Sequence, residues 1–106
     1  MGPEEALDLI DGGAVLLDVR EDSEWEAGHA PMARHVPLGQ LPERLDDLPV
    51  GNHLVVICRS GGRSGRATAF LLQAGHEATN VEGGMAAWAA AGLPVEAADG
   101  SPGVIA

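Results

Sequence analysis

One cysteine occurs in 106 residues, and it opens the stretch Cys58-Arg59-Ser60-Gly61-Gly62-Arg63-Ser64. A thiol reacts as its thiolate, and an unperturbed thiol with a pKa of about 8.5 is mostly protonated at neutral pH. Three features of this stretch favour the anion. A helix beginning near Arg63 or Ser64 would turn its dipole and its unpaired N–H groups toward the loop. Gly61-Gly62 lets the backbone pass through positive φ, so that successive N–H groups face inward as an anion-binding nest. Arg59 and Arg63 add positive charge, and no Asp or Glu occurs between Leu48 and His76. The loop reads as a cradle for one negative sulfur and a second anion beside it.

Competing readings of the cysteine are weaker. Arg-Ser-Gly-Gly-Arg is a poor core sequence, which argues against a buried structural thiol. The Gly-x-x-x-x-Gly-Lys-Ser/Thr pattern of a nucleotide-binding loop is absent. With no second cysteine and no cluster of metal-ligand spacing, zinc and dithiol chemistry are disfavoured, and no cofactor or metal is expected.

The elements around the loop must place it. His53-Leu54-Val55-Val56-Ile57 is the strongest strand signal, and Arg63 to Ala74 reads as a helix stopped by Gly75. Ala14 to Val19 is a second apolar run suited to a strand buried on both faces. Pro3 to Asp11 reads as a helix with Pro in its first turn, followed by acidic residues. Arg20 to Ala27 predicts a short helix capped by Asp22 or Ser23. Arg34 to Pro37 reads as a short strand, and Pro42 to Leu48 as an amphipathic helix through Leu41, Leu45 and Leu48. Ala78 to Val81 reads as a strand and Met85 to Ala91 as a short helix. Residues 1–95 are expected to form one domain, with 96–106 a flexible tail.

Strands alternating with helices imply a parallel sheet covered on both faces. Ligands in such sheets sit beyond the carboxyl ends of the strands, which is where Cys58 falls. Asp18 and Arg20 close the earlier strand and are read as supports of the loop through an Arg20–Asp18 or Arg20–Glu24 pair. His29 is read as orienting backbone, and Trp25 and Trp88 as core or rim aromatics. No partner is assigned to His35, His53 or His76. Ser60 and Ser64 are candidate donors to a bound anion, Ser64 being equally a helix cap.

A formal charge of −10, from 16 acidic residues against six basic ones, excludes the broad basic surface that nucleic-acid binding requires. No signal peptide and no stretch of about 18 apolar residues is visible, so a cytoplasmic protein without membrane contact is expected. Oligomeric state has no signature.

Beyond these local readings, the chain resembles the single-domain rhodanese family over nearly its whole length. Leu16-Leu17-Asp18-Val19-Arg20, Glu24-Trp25, Gly28-His29 and Val36-Pro37-Leu38 are similar to the family's early motifs. Cys58 to Ser64 is similar to its active loop, and Glu82-Gly83-Gly84-Met85 through Trp88 to its closing motif. Ala30, Met32 and His35 depart from the common pattern, all in the segment before the third predicted helix. The resemblance implies an α/β three-layer sandwich with a central, mostly parallel sheet of four to five strands. It also implies a sulfurtransferase in which Cys58 carries sulfur as a persulfide. The spacing Cys-x4-Arg fits sulfur transfer, whereas phosphatases that use a cysteine need Cys-x5-Arg, and Ser64 stands where that arginine would be. The implied partners are a small anionic donor such as thiosulfate and an external acceptor, cyanide or a small-molecule or protein thiol. Two alternatives remain open: a non-catalytic interaction or regulatory module, and a redox sensor using Cys58 alone.

Overall fold

The computed structural model describes all residues from Met1 to Ala106. Its elements in chain order are α1 (Pro3–Asp11), β1 (Val15–Asp18), α2 (Asp22–Ala27), β2 (Arg34–His35), a 3-10 segment (Leu38–Asp47), β3 (Leu54–Ile57), α3 (Gly62–Gln73), β4 (Ala78–Asn80) and α4 (Gly84–Ala90). The four strands form one sheet in the order β2-β1-β3-β4, and every pairing is parallel. This is the covered parallel sheet expected, with the smaller of the two strand numbers.

Side-chain alternation along the central strands makes two cores. Leu17 and Val19 from β1 and its end, with Leu54, Val56 and Cys58 from β3 and its end, pack with Ala67 and Leu71 of α3 and Leu41 of the 3-10 segment. Leu16, Val55 and Ile57 point to the other face and meet Ala6 of α1 and Met85 and Trp88 of α4. All four β3 residues are fully buried, each contributing about 1.5–3 kcal/mol of apolar transfer. A strand buried on both faces reads as an unbroken apolar run, and that is why this one is so plain in the sequence.

One reading needs correction. The segment predicted as an α-helix from Pro42 to Leu48 is a 3-10 segment from Leu38 to Asp47, with Pro42 inside it and a break at Arg44 (φ −114°). Pro42 has no N–H for an α-helical ladder, and leucines three and four apart suit either helix type. Residues 96–106, read from the sequence as a flexible tail, make backbone pairs with the body of the fold. Glu96 exchanges both backbone hydrogen bonds with His29, and the Val104 N–H donates to the Ala27 carbonyl. Ile105 packs on the α1/α4 core. Their Pro- and Gly-rich composition hid backbone pairing with a distant turn.

The carboxyl ends of β1 and β3 are level, with Asp18 opposite Ile57. Cys58 and the Asp18–Arg20 corner therefore share one end of the sheet. The molecule's one cavity, about 390 Å3, lies at the opposite end between residues 50–52 and 74–77. It includes none of the loop.

Candidate active site

The loop from Cys58 to Gly61 joins the end of β3 to α3. Gly61 is the N-cap of α3 in the left-handed region (φ 109°), a conformation other residues adopt at a cost. That turn aims the Gly61 N–H at the Cys58 sulfur, 3.1 Å away. The helix opens at Gly62, so only one of the two glycines takes positive φ, and Ser64 is not the cap. The Ser64 hydroxyl instead lies 3.2 Å from the sulfur. Cys58 is 1% exposed and Ser64 is buried outright. Burial pushes the Cys58 thiol up, but the Ser64 hydroxyl and the N–H groups of Ser64, Gly61 and Ser60 outweigh it and hold the thiol below its ordinary value.

Three neighbours fix the loop from outside. The first is Asn80, at the end of β4. Its side-chain amide donates to the Gly61 carbonyl at 3.1 Å, which turns Oδ1 toward the Ser64 hydroxyl at 2.5 Å. The second is α4, whose Met85 and Ala86 N–H groups donate to the carbonyls of Cys58 and Arg59 at 2.8 and 3.0 Å. The loop thus caps α4, and Gly84 permits the approach. A Cβ there would stand 2.3 Å from the Cys58 carbonyl oxygen, and its φ is 56°.

Glu24 is the third. Its two carboxylate oxygens take Nη1 and Nη2 of Arg63 at 2.7 and 2.8 Å. The Arg63 hydrogen bond holds the Glu24 carboxyl down to about 2 against the opposing effect of burial. The positive island read from sequence is therefore partly neutralised by a carboxylate 39 residues away. The other loop arginine, Arg59, donates Nε–H to the main-chain oxygen of Ala106 at 2.9 Å, and no Asp or Glu side chain pairs with it. Ser60 and Gly62 are exposed at the loop's surface.

Asp18 and Arg20 do pair, completely buried, with Nε–H reaching both Asp18 oxygens and Nη2–H reaching Oδ2 at 2.8 Å. Neither side chain hydrogen-bonds to the loop. Arg20 instead donates Nη2–H to the Gly28 carbonyl at 2.8 Å and Nη1–H to the Glu24 carbonyl at 3.4 Å. It fixes α2 on the sheet, and α2 carries Glu24 to Arg63. Asp18 and Arg20 are therefore linked to the loop by hydrogen bonds only through α2 and Glu24.

Trp25 on the same helix stacks with two imidazoles. The His29 ring centroid lies 3.7 Å from it and that of His35 4.7 Å, both nearly parallel to the indole. His29 Nδ1 meets the Trp25 carbonyl and His35 Nε2 the Arg20 carbonyl, both at 2.7 Å, so each of those nitrogens carries the proton. His35 thereby gains the partner the sequence did not name. His53 does too, with Nε2 at 2.7 Å from the Thr79 hydroxyl. Sequence reasoning missed Asn80 and the Glu24–Arg63 pair. Asn80 gave no signal beyond its place at a strand end, and Glu24 had been considered only as an Arg20 partner.

A thiol held below its ordinary pKa on a parallel-sheet loop, with α4 closing it, narrows the family sharply. Residues 2–91 match the family model described as Rhodanese-like domain. The chain belongs to the rhodanese-like domain family. A sulfurtransferase of Allochromatium vinosum is 39% identical over 87 residues, 81% of each chain. The chloroplastic thiosulfate sulfurtransferase 16 of Arabidopsis thaliana is 37% identical, covering 87% of this chain and 88% of its own. Among solved structures, a rhodanese-related protein from Thermoplasma volcanium superposes with a TM-score of 0.84 at 33% identity, covering 90% of this chain and 94% of that one. The rhodanese fold expected from the sequence is therefore established. No helix here is long and apolar enough to cross a membrane.

Proposed function

We propose that the protein is a sulfurtransferase that moves sulfane sulfur from an anionic donor to an external nucleophile through a Cys58 persulfide. The observation that carries this reading is the sulfur itself. It accepts from the Gly61 N–H and faces the Ser64 hydroxyl at the start of a 12-residue helix. Relatives named as sulfurtransferases over most of their length support the same reaction class.

The reaction is a double displacement. With thiosulfate, the Cys58 thiolate attacks the outer sulfur, the S–S bond of the donor breaks, and sulfite leaves with the bonding pair. The enzyme then holds Cys58–S–S⁻. The loop N–H groups and the α3 terminus stabilise that terminal anion as they stabilised the thiolate. A cyanide ion or a thiolate attacks the outer sulfur next, takes it as thiocyanate or a new persulfide, and returns the Cys58 thiolate. The chain has no second cysteine to resolve the persulfide. The acceptor is therefore another molecule.

The test is intact mass after incubation with thiosulfate, followed by thiocyanate assay on adding cyanide. A gain of one sulfur and formation of thiocyanate, both lost in Cys58→Ser, are expected. Absence of both across several sulfane donors would turn the assignment to a regulatory module. Oxidation of Cys58 by peroxide with no sulfur transfer would turn it to a redox sensor.

A further inference from the structure

We propose that Glu24 sets how much negative charge a sulfur donor can carry. By filling the fork of Arg63, it disfavours dianionic donors and directs Cys58 to donors bearing one negative charge or none, such as thiosulfonates and alkyl persulfides. The proposal rests on the sulfurtransferase reading above.

A guanidinium binds an oxyanion best with two parallel N–H groups. Both terminal nitrogens of Arg63 already face Glu24, one to each carboxylate oxygen. The side chains are 29% and 17% exposed, so solvent only partly screens the pair. Glu24 is also poorly free to leave. Its Oε1 accepts the Glu21 N–H at 3.1 Å, and Arg20, locked on Asp18, holds the Glu24 carbonyl and the Gly28 carbonyl that ends its helix. With Glu24 and Arg63 cancelling and the Nε–H of Arg59 spent on the Ala106 oxygen, the loop keeps little uncompensated positive charge to set against a dianion. Near a sulfur that must itself be negative to react, the second donor charge therefore costs more than the first. Backbone N–H groups attract both donors and are the same in wild type and variant, so they do not account for a change in the ratio between the two.

Thiosulfate and methanethiosulfonate make a matched pair. Both present a terminal sulfur on an oxidised sulfur centre, but the first is a dianion that expels sulfite and the second a monoanion that expels methanesulfinate. In each, the Cys58 thiolate forms the new S–S bond as the old one breaks, and the leaving group takes the bonding pair. The measurement is kcat/KM for each donor, with cyanide as acceptor, in the wild type and Glu24→Gln. Glutamine keeps the size of the side chain and removes its charge. The ratio of thiosulfate to methanethiosulfonate is expected to rise about tenfold, mostly through a lower KM for thiosulfate, and the gain is expected to shrink at high salt. Arg63→Gln, which leaves the Glu24 charge unpaired, is the second arm, and there the ratio is expected to fall. Equal changes for both donors in a folded Glu24→Gln protein would overturn the proposal, as would an unmoved ratio in Arg63→Gln if the first variant does not fold. Failure of the wild type to take sulfur from either donor would instead reject the sulfurtransferase reading, and this proposal with it.

Discussion

The Ser64 hydroxyl stands 2.5 Å from Asn80 Oδ1 and 3.2 Å from the Cys58 sulfur, and it has a single proton for the two. Asn80 cannot turn its amide round, because its NH2 already serves the Gly61 carbonyl. While the thiol is protonated, the network closes on itself: S–H to the Ser64 oxygen, Ser64 to Asn80, Asn80 to Gly61, and the Gly61 N–H back to sulfur. Once the thiolate forms, the hydroxyl proton is needed at sulfur, so Asn80 and the thiolate compete for it.

Removing that hydroxyl should therefore cost the anion more than the fold. In Ser64→Ala, the pH at which iodoacetamide alkylates Cys58 is expected to move upward, and the rate at neutral pH to fall about tenfold, as loss of a charge-assisted hydrogen bond implies. Alkylation rates across a pH series, with melting curves alongside, check this. An unmoved profile would show that the backbone N–H groups alone set the thiol's acidity.

Asn80→Ala is expected to loosen the loop at Gly61. Hydrogen exchange at the Gly61 N–H should accelerate and sulfur loading slow by about tenfold, with a loss of about 1 kcal/mol in stability. Exchange by NMR and loading by mass spectrometry separate this from a global effect, in which all amides would accelerate together.

Gly84→Ala meets two obstacles, a positive φ and a Cβ placed 2.3 Å from the Cys58 carbonyl oxygen. Neither obstacle is a flexible side chain that could move aside. Denaturant unfolding is expected to show a loss of at least about 2 kcal/mol, with sulfur loading falling in the protein that remains folded.

Arg20→Leu leaves the Asp18 carboxylate buried without its partner. The expected cost is about 3–5 kcal/mol. Adding Asp18→Asn should recover part of it, and a double-mutant cycle by urea unfolding measures the coupling. Simple additivity would show that the corner tolerates a lone carboxylate.

Glu24 gives the protein an acid-sensitive pair. Its pKa is depressed from 4.5 to about 2, so its contribution is fully present above the unfolded value of 4.5 and is lost as pH falls toward 2. The stability gap between wild type and Glu24→Gln should accordingly be constant near neutrality and close over that acidic window. Thermal melts across the range would reveal a gap that fails to close.

Much of this was legible in the chain itself, and the reasons for the gaps are physical. The β3 run, the lone cysteine and the glycines before α3 are contiguous, so local pattern carries them. The Asp18–Arg20 pair spans two residues and was also within reach. Glu24 reaches Arg63 across 39 residues and Asn80 reaches Gly61 across 19. Such contacts exist only once the sheet order brings α2 and β4 to the same end. The 3-10 segment escaped because the spacing of Leu38, Leu41, Leu45 and Leu48 satisfies both helix periods. Pairing of residues 96–106 depends on backbone groups, on which composition is silent.

The capping of α4 by the Cys58 and Arg59 carbonyls has one more consequence. Any opening that bares the sulfur by lifting the loop must also strip Met85 and Ala86 of their acceptors, and Met85 is anchored in the interior. Local breathing of this loop is thereby coupled to unravelling of the last helix. The cysteine end of the sheet should consequently sit among the slowest-exchanging amides, unlike the mobile lids that guard many other sites.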